Sequence, residues 1–132
     1  MFEIPSEEPQ VLVVDDMPST RSIITDMLRD MGFTRIKEAS GGREALEALK
    51  SHGAQLILCD YMMEDMSGLD LLNQIRNHAY LVDIPFIVVS SNDEDPVIDT
   101  ARGLGASEYL CKPFTFESLK NKIVDVLRRR MA

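Results

Sequence analysis

The chain lacks the sequence features that mark membrane proteins and secreted proteins. No uninterrupted apolar run exceeds four residues, whereas a helix that crosses a bilayer needs about 20. The first nine residues contain glutamates but no lysine or arginine, so they do not resemble a signal peptide. The two cysteines, Cys59 and Cys111, show neither metal-ligand spacing nor a disulfide framework. These absences exclude membrane insertion and secretion, and they indicate a cytoplasmic protein.

Positive charge is scarce as well. Lysine and arginine number 14 against 22 aspartates and glutamates, which gives a net charge of −8. A chain this acidic repels phosphate backbones, so we expect no nucleic-acid partner. Apolar residues make up 45% and charged residues 27%, which is a globular composition. Without repeats or linkers, the chain is predicted to form one domain over residues 9–132, after an N-terminal tail at 1–8.

Five short apolar segments alternate with segments of helical periodicity. The predicted strands are residues 11–14, 35–39, 56–59, 86–89 and 108–111. The predicted helices run from about Ser19 to Met31, from Gly42, from Ser67, from about Asp93 to Gly103, and after Thr115. Strands that alternate with helices build a parallel sheet covered on both faces, so the predicted fold class is α/β.

The composition of the strands predicts their order in the sheet. The first, third and fourth are continuous apolar runs, as in strands that are buried on both faces. The second alternates charged residues with Ile36 and Ala39, and the fifth is mixed, so both are predicted at edges. Right-handed crossovers then favour the order 2-1-3-4-5 of flavodoxin-like folds. Such folds bind ligands at the carboxyl ends of the strands, where the order reverses between strands one and three.

Charged and polar residues stand at those predicted carboxyl ends. They comprise three carboxylates, one hydroxyl and one ammonium group, from Asp15, Asp16, Asp60, Ser90 and Lys112. Clustered carboxylates repel one another unless a cation lies among them. A few hard oxygen ligands suit Mg²⁺, which keeps several of its waters. Any one of these acids could simply cap a helix or end a strand, but together they predict a magnesium site.

Four motifs together resemble the receiver domain of bacterial two-component response regulators. They are the run Val13-Val14-Asp15-Asp16, the Asp60 after strand three, residues 88–90 (Val-Val-Ser) and residues 109–114 (Tyr-Leu-Cys-Lys-Pro-Phe). The resemblance covers essentially the whole chain, and the combination of motifs is specific. No output domain follows the last predicted helix, so the resemblance implies a stand-alone regulator of the chemotaxis type, expected to be a monomer.

The resemblance implies a phosphoryl-accepting site at Asp60. This carboxylate would attack a phosphohistidine of a sensor histidine kinase. Asp16, an Asp60 oxygen and the backbone carbonyl of Met62 would bind Mg²⁺, and Asp15 would hold the metal directly or through water. The chain would catalyse only its own phosphorylation and dephosphorylation, so it is not expected to be an enzyme in the usual sense.

The resemblance also implies a switch. Lys112 would pair with one phosphoryl oxygen, and the Ser90 hydroxyl would donate to another. Tyr109 would then swing inward, changing the face formed by helix four, strand five and helix five. The peptide bond between Lys112 and Pro113 is expected to be cis, as is usual in the family.

The chain departs from the family pattern in the loop after Asp60. Glu64 stands where the family usually has proline, so a freer loop and an added acid near the metal are expected. Ser91 stands where alanine is more common, which is a mild change. Met62 and Asn92 occupy positions that in this family tune dephosphorylation, and the bulky Met62 is predicted to obstruct attacking water.

Other classes fit the residues less well. A flavodoxin-like electron carrier needs a phosphate loop rich in serine, threonine or glycine, but the turn after strand one is acidic. An aspartyl phosphatase needs two acids separated by one residue, and an NTPase needs a glycine-rich P-loop. A redox pair of Cys59 and Cys111 is not expected, because strand four would separate their strands by about 9.5 Å, beyond disulfide reach.

The resemblance leaves the output of the switch open. A flagellar motor-switch protein is the first choice as effector, with a possible phosphatase as an additional partner. The alternative is a phosphorelay intermediate or phosphate sink that acts on a partner outside the motor. Both kinds of regulator would carry the same five site residues.

Overall fold

The protein is described by a computed structural model that covers residues 9–131, with side chains up to residue 129. The strands are β1 (Val11–Val14), β2 (Ile36–Ala39), β3 (Leu56–Asp60), β4 (Phe86–Ser90) and β5 (Glu108–Cys111). The helices are α1 (Pro18–Met31), α2 (Gly42–His52), α3 (Gly68–Arg76), α4 (Asp95–Gly103) and α5 (Phe116–Met131). The predicted tail at 1–8 lies outside the described residues. No helix within 9–131 is long and apolar enough to span a membrane.

All five strands join one parallel sheet in the order β2-β1-β3-β4-β5, which confirms the predicted order. Every residue of β1, β3 and β4 is buried, whereas the edge strands β2 and β5 are only partly buried. Continuous apolar runs therefore occupy the centre because helices cover both of their faces.

The core forms one layer on each face of the sheet. Alternate residues of a strand point to opposite faces, so Leu12 and Val14 join one layer and Val11 and Val13 the other. The first layer packs against α2, α3 and α4, and the second packs against α1 and α5. This arrangement leaves the carboxyl edge of the sheet open to loops, and the predicted site lies there.

Local sequence signals explain where several helices begin and end. Pro18 occupies the first position of α1, and Gly32 ends that helix in the left-handed conformation with φ of 106°. The Ser67 side chain caps α3 by accepting the N–H of Asp70 at 3.1 Å. Thr115 caps α5 by accepting the N–H of Ser118 at 3.0 Å, as the sequence predicts. The observed bounds differ from the predicted ones by a residue or two at most of these ends.

Candidate functional site

The five predicted site residues meet at one edge of the sheet. Asp15 and Asp16 follow β1, Asp60 ends β3, Ser90 ends β4 and Lys112 follows β5. One carboxylate oxygen from each aspartate lies within 4.8 Å of the others. The strands carry these side chains together because parallel strands present all their carboxyl ends at the same edge.

Lys112 reaches across the end of β4 to the acids. Its Nζ lies 3.0 Å from Oδ1 of Asp60 and 3.9 Å from Oδ2 of Asp15. The Lys112 backbone N–H also donates to the Ser90 carbonyl at 2.7 Å, which fixes the turn that places the ammonium group. The Lys112–Pro113 peptide bond is cis, as expected. One ammonium group thus faces two of the three carboxylates.

Asp15 is the most deeply buried member of the acidic cluster. Its Oδ1 accepts the N–H of Met17 at 2.9 Å, whereas the buried Oδ2 has no hydrogen-bond partner in the described part of the chain. Burial raises the pKa of Asp15; the Met17 N–H lowers it, and the charge of Asp60 raises it again. A buried carboxylate oxygen left without a hydrogen bond favours a cation at this place.

Asp16 is held by the loop that follows β3. Its Oδ2 accepts the backbone N–H of Glu64 at 2.9 Å. Met62 lies in the same loop, two residues after Asp60, and is 69% exposed. The three carboxylates offer only oxygen donors, which Mg²⁺ prefers, so the residues present fit this metal. The ligand role of Met62 stays a prediction.

Ser90 and Tyr109 are connected through Asn92. The Ser90 hydroxyl oxygen accepts the Asn92 N–H at 3.0 Å, and the Tyr109 hydroxyl donates to the Asn92 carbonyl at 2.7 Å. Burial raises the pKa of Tyr109, a residue that is only 5% exposed. The ring is therefore already inward in this structure, and its movement upon phosphorylation stays a prediction.

Two further residues support the site, and sequence reasoning missed both. The Arg21 guanidinium on α1 donates to the Asp15 carbonyl at 2.7 Å and to Oε1 of Glu38 at 3.0 Å. The Asp65 carboxylate accepts the backbone N–H groups of Gly42 at 3.1 Å and Arg43 at 3.0 Å. The sequence held one signal for Asp65, because the start of α2 has glycines where a side-chain cap is usual.

The cysteines are free, as predicted. Cys59 is buried on β3 and Cys111 lies on β5, with β4 between them. Burial raises the pKa of the Cys59 thiol well above its ordinary value, and the nearby charge of Asp60 adds to the effect. A thiol held in its neutral form is inert, which fits a core residue better than a redox site.

Comparison with known protein families supports this fold and the location of the site at this edge of the sheet. Residues 11–124 match the response regulator receiver domain family, and the chain belongs to that family. It is 37% identical over 121 residues to "Chemotaxis protein CheY" of Pseudomonas aeruginosa, covering 91% of this chain and 97% of that protein. It is 33% identical over 129 residues to "Chemotaxis protein CheY-3" of Vibrio cholerae, covering 98% and 99%. Receiver domains generally bind Mg²⁺ at an acidic pocket such as this one.

Solved structures share the fold. Chemotaxis response regulator CheY4 of Vibrio cholerae superposes with a TM-score of 0.83 at 27% identity, covering 89% of this chain and 97% of that one. The N-terminal domain of a response regulator receiver protein from Methanoculleus marisnigri superposes with a TM-score of 0.73 at 34% identity, covering 90% and 96%. The predicted flavodoxin-like receiver fold is confirmed.

Proposed function

We propose that the chain is a phosphorylation-switched signalling protein whose Asp60 accepts a phosphoryl group from the phosphohistidine of a sensor histidine kinase. One observation carries the proposal. The Asp60 carboxylate ends a central strand with an ammonium group 3.0 Å away and two further carboxylates close by. This combination supplies an oxygen nucleophile and places positive charge beside it, as phosphoryl transfer requires.

Each residue has a defined task in the transfer. An Asp60 oxygen forms the new bond to phosphorus while the bond from phosphorus to the histidine nitrogen of the kinase breaks. Lys112 orients the carboxylate through Oδ1 and then neutralises a phosphoryl oxygen. Asp15, Asp16, Asp60 and the Met62 carbonyl would hold Mg²⁺, which when bound neutralises charge on the transferred group. The protein acts only on itself, so we do not class it as an enzyme.

The Asn92 peptide supports a mechanism for the switch. Its N–H contacts Ser90 and its carbonyl contacts Tyr109, so the backbone of one residue bonds both side chains. The acyl phosphate carries about two negative charges in place of the single charge of the Asp60 carboxylate, within reach of the Ser90 hydroxyl. When Ser90 turns to that group, its contact with Asn92 weakens, and the loop before α4 shifts together with Tyr109. The face formed by α4, β5 and α5 then changes, and an effector reads the change.

The named relatives support an output in chemotaxis. Two proteins called chemotaxis proteins match nearly the full length of this chain. We therefore propose that the effector is a flagellar motor-switch protein and that the chain acts in the cytoplasm as a monomer. A role as phosphorelay intermediate or phosphate sink is the second candidate, because it would use the same five site residues.

Phosphorylation of the isolated protein tests the chemistry. Incubation with Mg²⁺ and a small acyl-phosphate donor should add the mass of one phosphoryl group to the wild-type protein and none to Asp60→Asn. Asp26→Asn is the matched control, because it removes an exposed carboxylate on α1. It should be labelled like wild type. Equal labelling of Asp60→Asn and wild type would refute Asp60 as the acceptor.

Capture of partners tests the output. The protein serves as bait in a lysate of its own source, with and without Mg²⁺ and beryllofluoride as an acyl-phosphate mimic. A motor-switch protein retained only with the mimic would support the chemotaxis role. A histidine phosphotransfer protein retained without any motor component would instead support the relay role, and the chemistry at Asp60 would be unaffected.

A further inference from the structure

The loop between β3 and α3, residues 61–67, carries two backbone groups that matter for the acidic cluster. They are the Met62 carbonyl, a proposed metal ligand, and the Glu64 N–H, which donates to Asp16 at 2.9 Å. Glu64 stands where the family usually has proline, and proline has no N–H to donate. The contact with Asp16 therefore depends on this departure from the family pattern. The expectation of a freer loop itself stays a prediction.

Asp65 anchors the same loop to a different part of the molecule. Its two carboxylate oxygens accept the first two N–H groups of α2, from Gly42 and Arg43. The N-cap residue of α2, Gly41, has no side chain that could do this. A carboxylate is favoured at a helix N-terminus, and the hydrogen bond from Arg43, the largest influence, lowers the pKa of Asp65. Asp65 thereby joins the loop to α2, although Asp65 and Arg43 are 22 residues apart in sequence.

The two glycines at the start of α2 leave the space for this contact. A Cβ on Gly41 would lie 2.8 Å from Oδ1 of Asp65, and a Cβ on Gly42 would lie 2.4 Å from Sδ of Met66. Gly41 has an extended backbone that any residue can adopt, with φ of −175°. Close approach of the loop, rather than backbone conformation, is therefore what requires glycine at residue 41.

We propose that Asp65 is a positioning residue for the metal site, which fixes the loop against α2 so that Asp16 and the Met62 carbonyl face the same cation. The inference rests on the proposed function, because it assumes that Mg²⁺ binds at the acidic cluster. Asp65 lies one residue after Glu64 and three after Met62, so release of its carboxylate from α2 would let both groups move. Residues that orient metal ligands typically change affinity 10–100-fold when they are removed.

Two substitutions break the anchor in different ways. Asp65→Ala removes the carboxylate and its charge, whereas Gly41→Ala displaces the carboxylate and leaves the charge unchanged. Glu44→Gln is the control for charge, since Glu44 lies at the same helix end but bonds to Ser40 and not to the loop. Gly103→Ala is the control for an added methyl group, because no atom lies within 4 Å of that Cβ position.

The readouts are calorimetric titration with MgCl₂, without any phosphodonor, and amide hydrogen exchange of residues 62–64 in metal-free protein. Asp65→Ala and Gly41→Ala should each weaken Mg²⁺ binding about tenfold and speed exchange of the Glu64 amide. Both controls should stay within about twofold of wild type in each readout, since neither removes an anchor of the loop. Thermal unfolding shows whether each variant is folded. If Asp65→Ala does not fold, Asp65→Asn, which keeps one acceptor oxygen, replaces it.

Three results would overturn the inference. Equal weakening by Asp65→Ala and Glu44→Gln, with Gly41→Ala unchanged, would show that only negative charge matters. Wild-type affinity and exchange in both anchor variants would show that the loop holds its position without Asp65. Failure of the wild-type protein itself to bind Mg²⁺ would refute the proposed metal site as well, so the two failures are distinguishable.

Discussion

Asp15 is buried and close to two other carboxylates, a combination that opposes folding when no metal is bound. Its Oδ2 lies 3.9 Å from the Lys112 ammonium group and has no hydrogen bond among residues 9–129. The cost of burying a carboxylate falls only when a cation or hydrogen-bond donors meet it. Functional sites commonly keep such costs, because the same arrangement that destabilises the fold also binds the ligand.

Replacing Asp15 with asparagine should therefore stabilise the metal-free protein. The asparagine Oδ1 can still accept the Met17 N–H, while one of the three clustered charges disappears. We expect a gain of about 1 kcal/mol in the free energy of unfolding, the size of a typical single-residue effect. Urea unfolding in the presence of a chelator measures it. A loss of stability would mean that attraction to Lys112 outweighs burial.

At the scale of secondary-structure elements, Glu108 joins β5 to α5. Its two carboxylate oxygens accept from Nζ of Lys122 at 2.9 Å and from a guanidinium nitrogen of Arg129 at 2.8 Å. Burial is the largest single influence and raises the pKa of Glu108. The two hydrogen bonds nevertheless bring that pKa below its ordinary value. This ion pair network lies on the face that the proposed switch would alter.

Glu108→Gln should make the protein less stable at neutral pH by about 0.5 to 1 kcal/mol, because Arg129 is largely exposed to solvent. A carboxylate with a lowered pKa stabilises the fold above its unfolded pKa, about 4.3, and this stabilisation is lost as pH falls through the folded pKa. The wild type and variant should therefore differ in urea unfolding at pH 7 and converge near pH 3. Asp26→Asn, which breaks an exposed pair of 3.7 Å with Arg29, should change little.

Arg76 joins elements at the opposite end of the sheet. Its guanidinium donates to the carbonyls of Val82, Ile84 and Gly105, which ties the segment before β4 to the turn before β5. Gly105 has φ of 102°, and a Cβ there would lie 2.9 Å from Nε of Arg76. A side chain at residue 105 would thus meet both backbone strain and a steric clash. Arg76 supports the amino ends of two strands whose carboxyl ends form the site.

For the molecule as a whole, Mg²⁺ should raise stability by mass action. A ligand that binds only the folded state at about 100 times its Kd adds about 2.7 kcal/mol to the free energy of unfolding. Thermal unfolding in MgCl₂, compared with NaCl at equal ionic strength, separates specific binding from screening of the net charge of −8. Asp16→Asn should lose most of the magnesium effect. The same rise in both salts would contradict a specific site.

Much of the fold and of the candidate site could be predicted from patterns within the sequence. Continuous apolar runs identify β1, β3 and β4 as central strands, because only a strand covered on both faces can be apolar at every position. Strand order then brings Asp15, Asp60 and Lys112 to one edge without any knowledge of distances. The receiver motifs agree with this placement, and the family comparison confirms them.

The tertiary structure alone decided which groups hold the site in place. Arg21 bonds to a backbone carbonyl beside the acids, Asp65 bonds to the N–H groups of a distant helix, and Asn92 bonds to Ser90 and Tyr109 through its own peptide groups. Such contacts leave no periodic pattern in a sequence, because a polar surface residue obeys the same helix and loop preferences whether or not it has a partner. The inward position of Tyr109 likewise could not be predicted from the sequence, because packing around the ring, and not the identity of the residue, determines it.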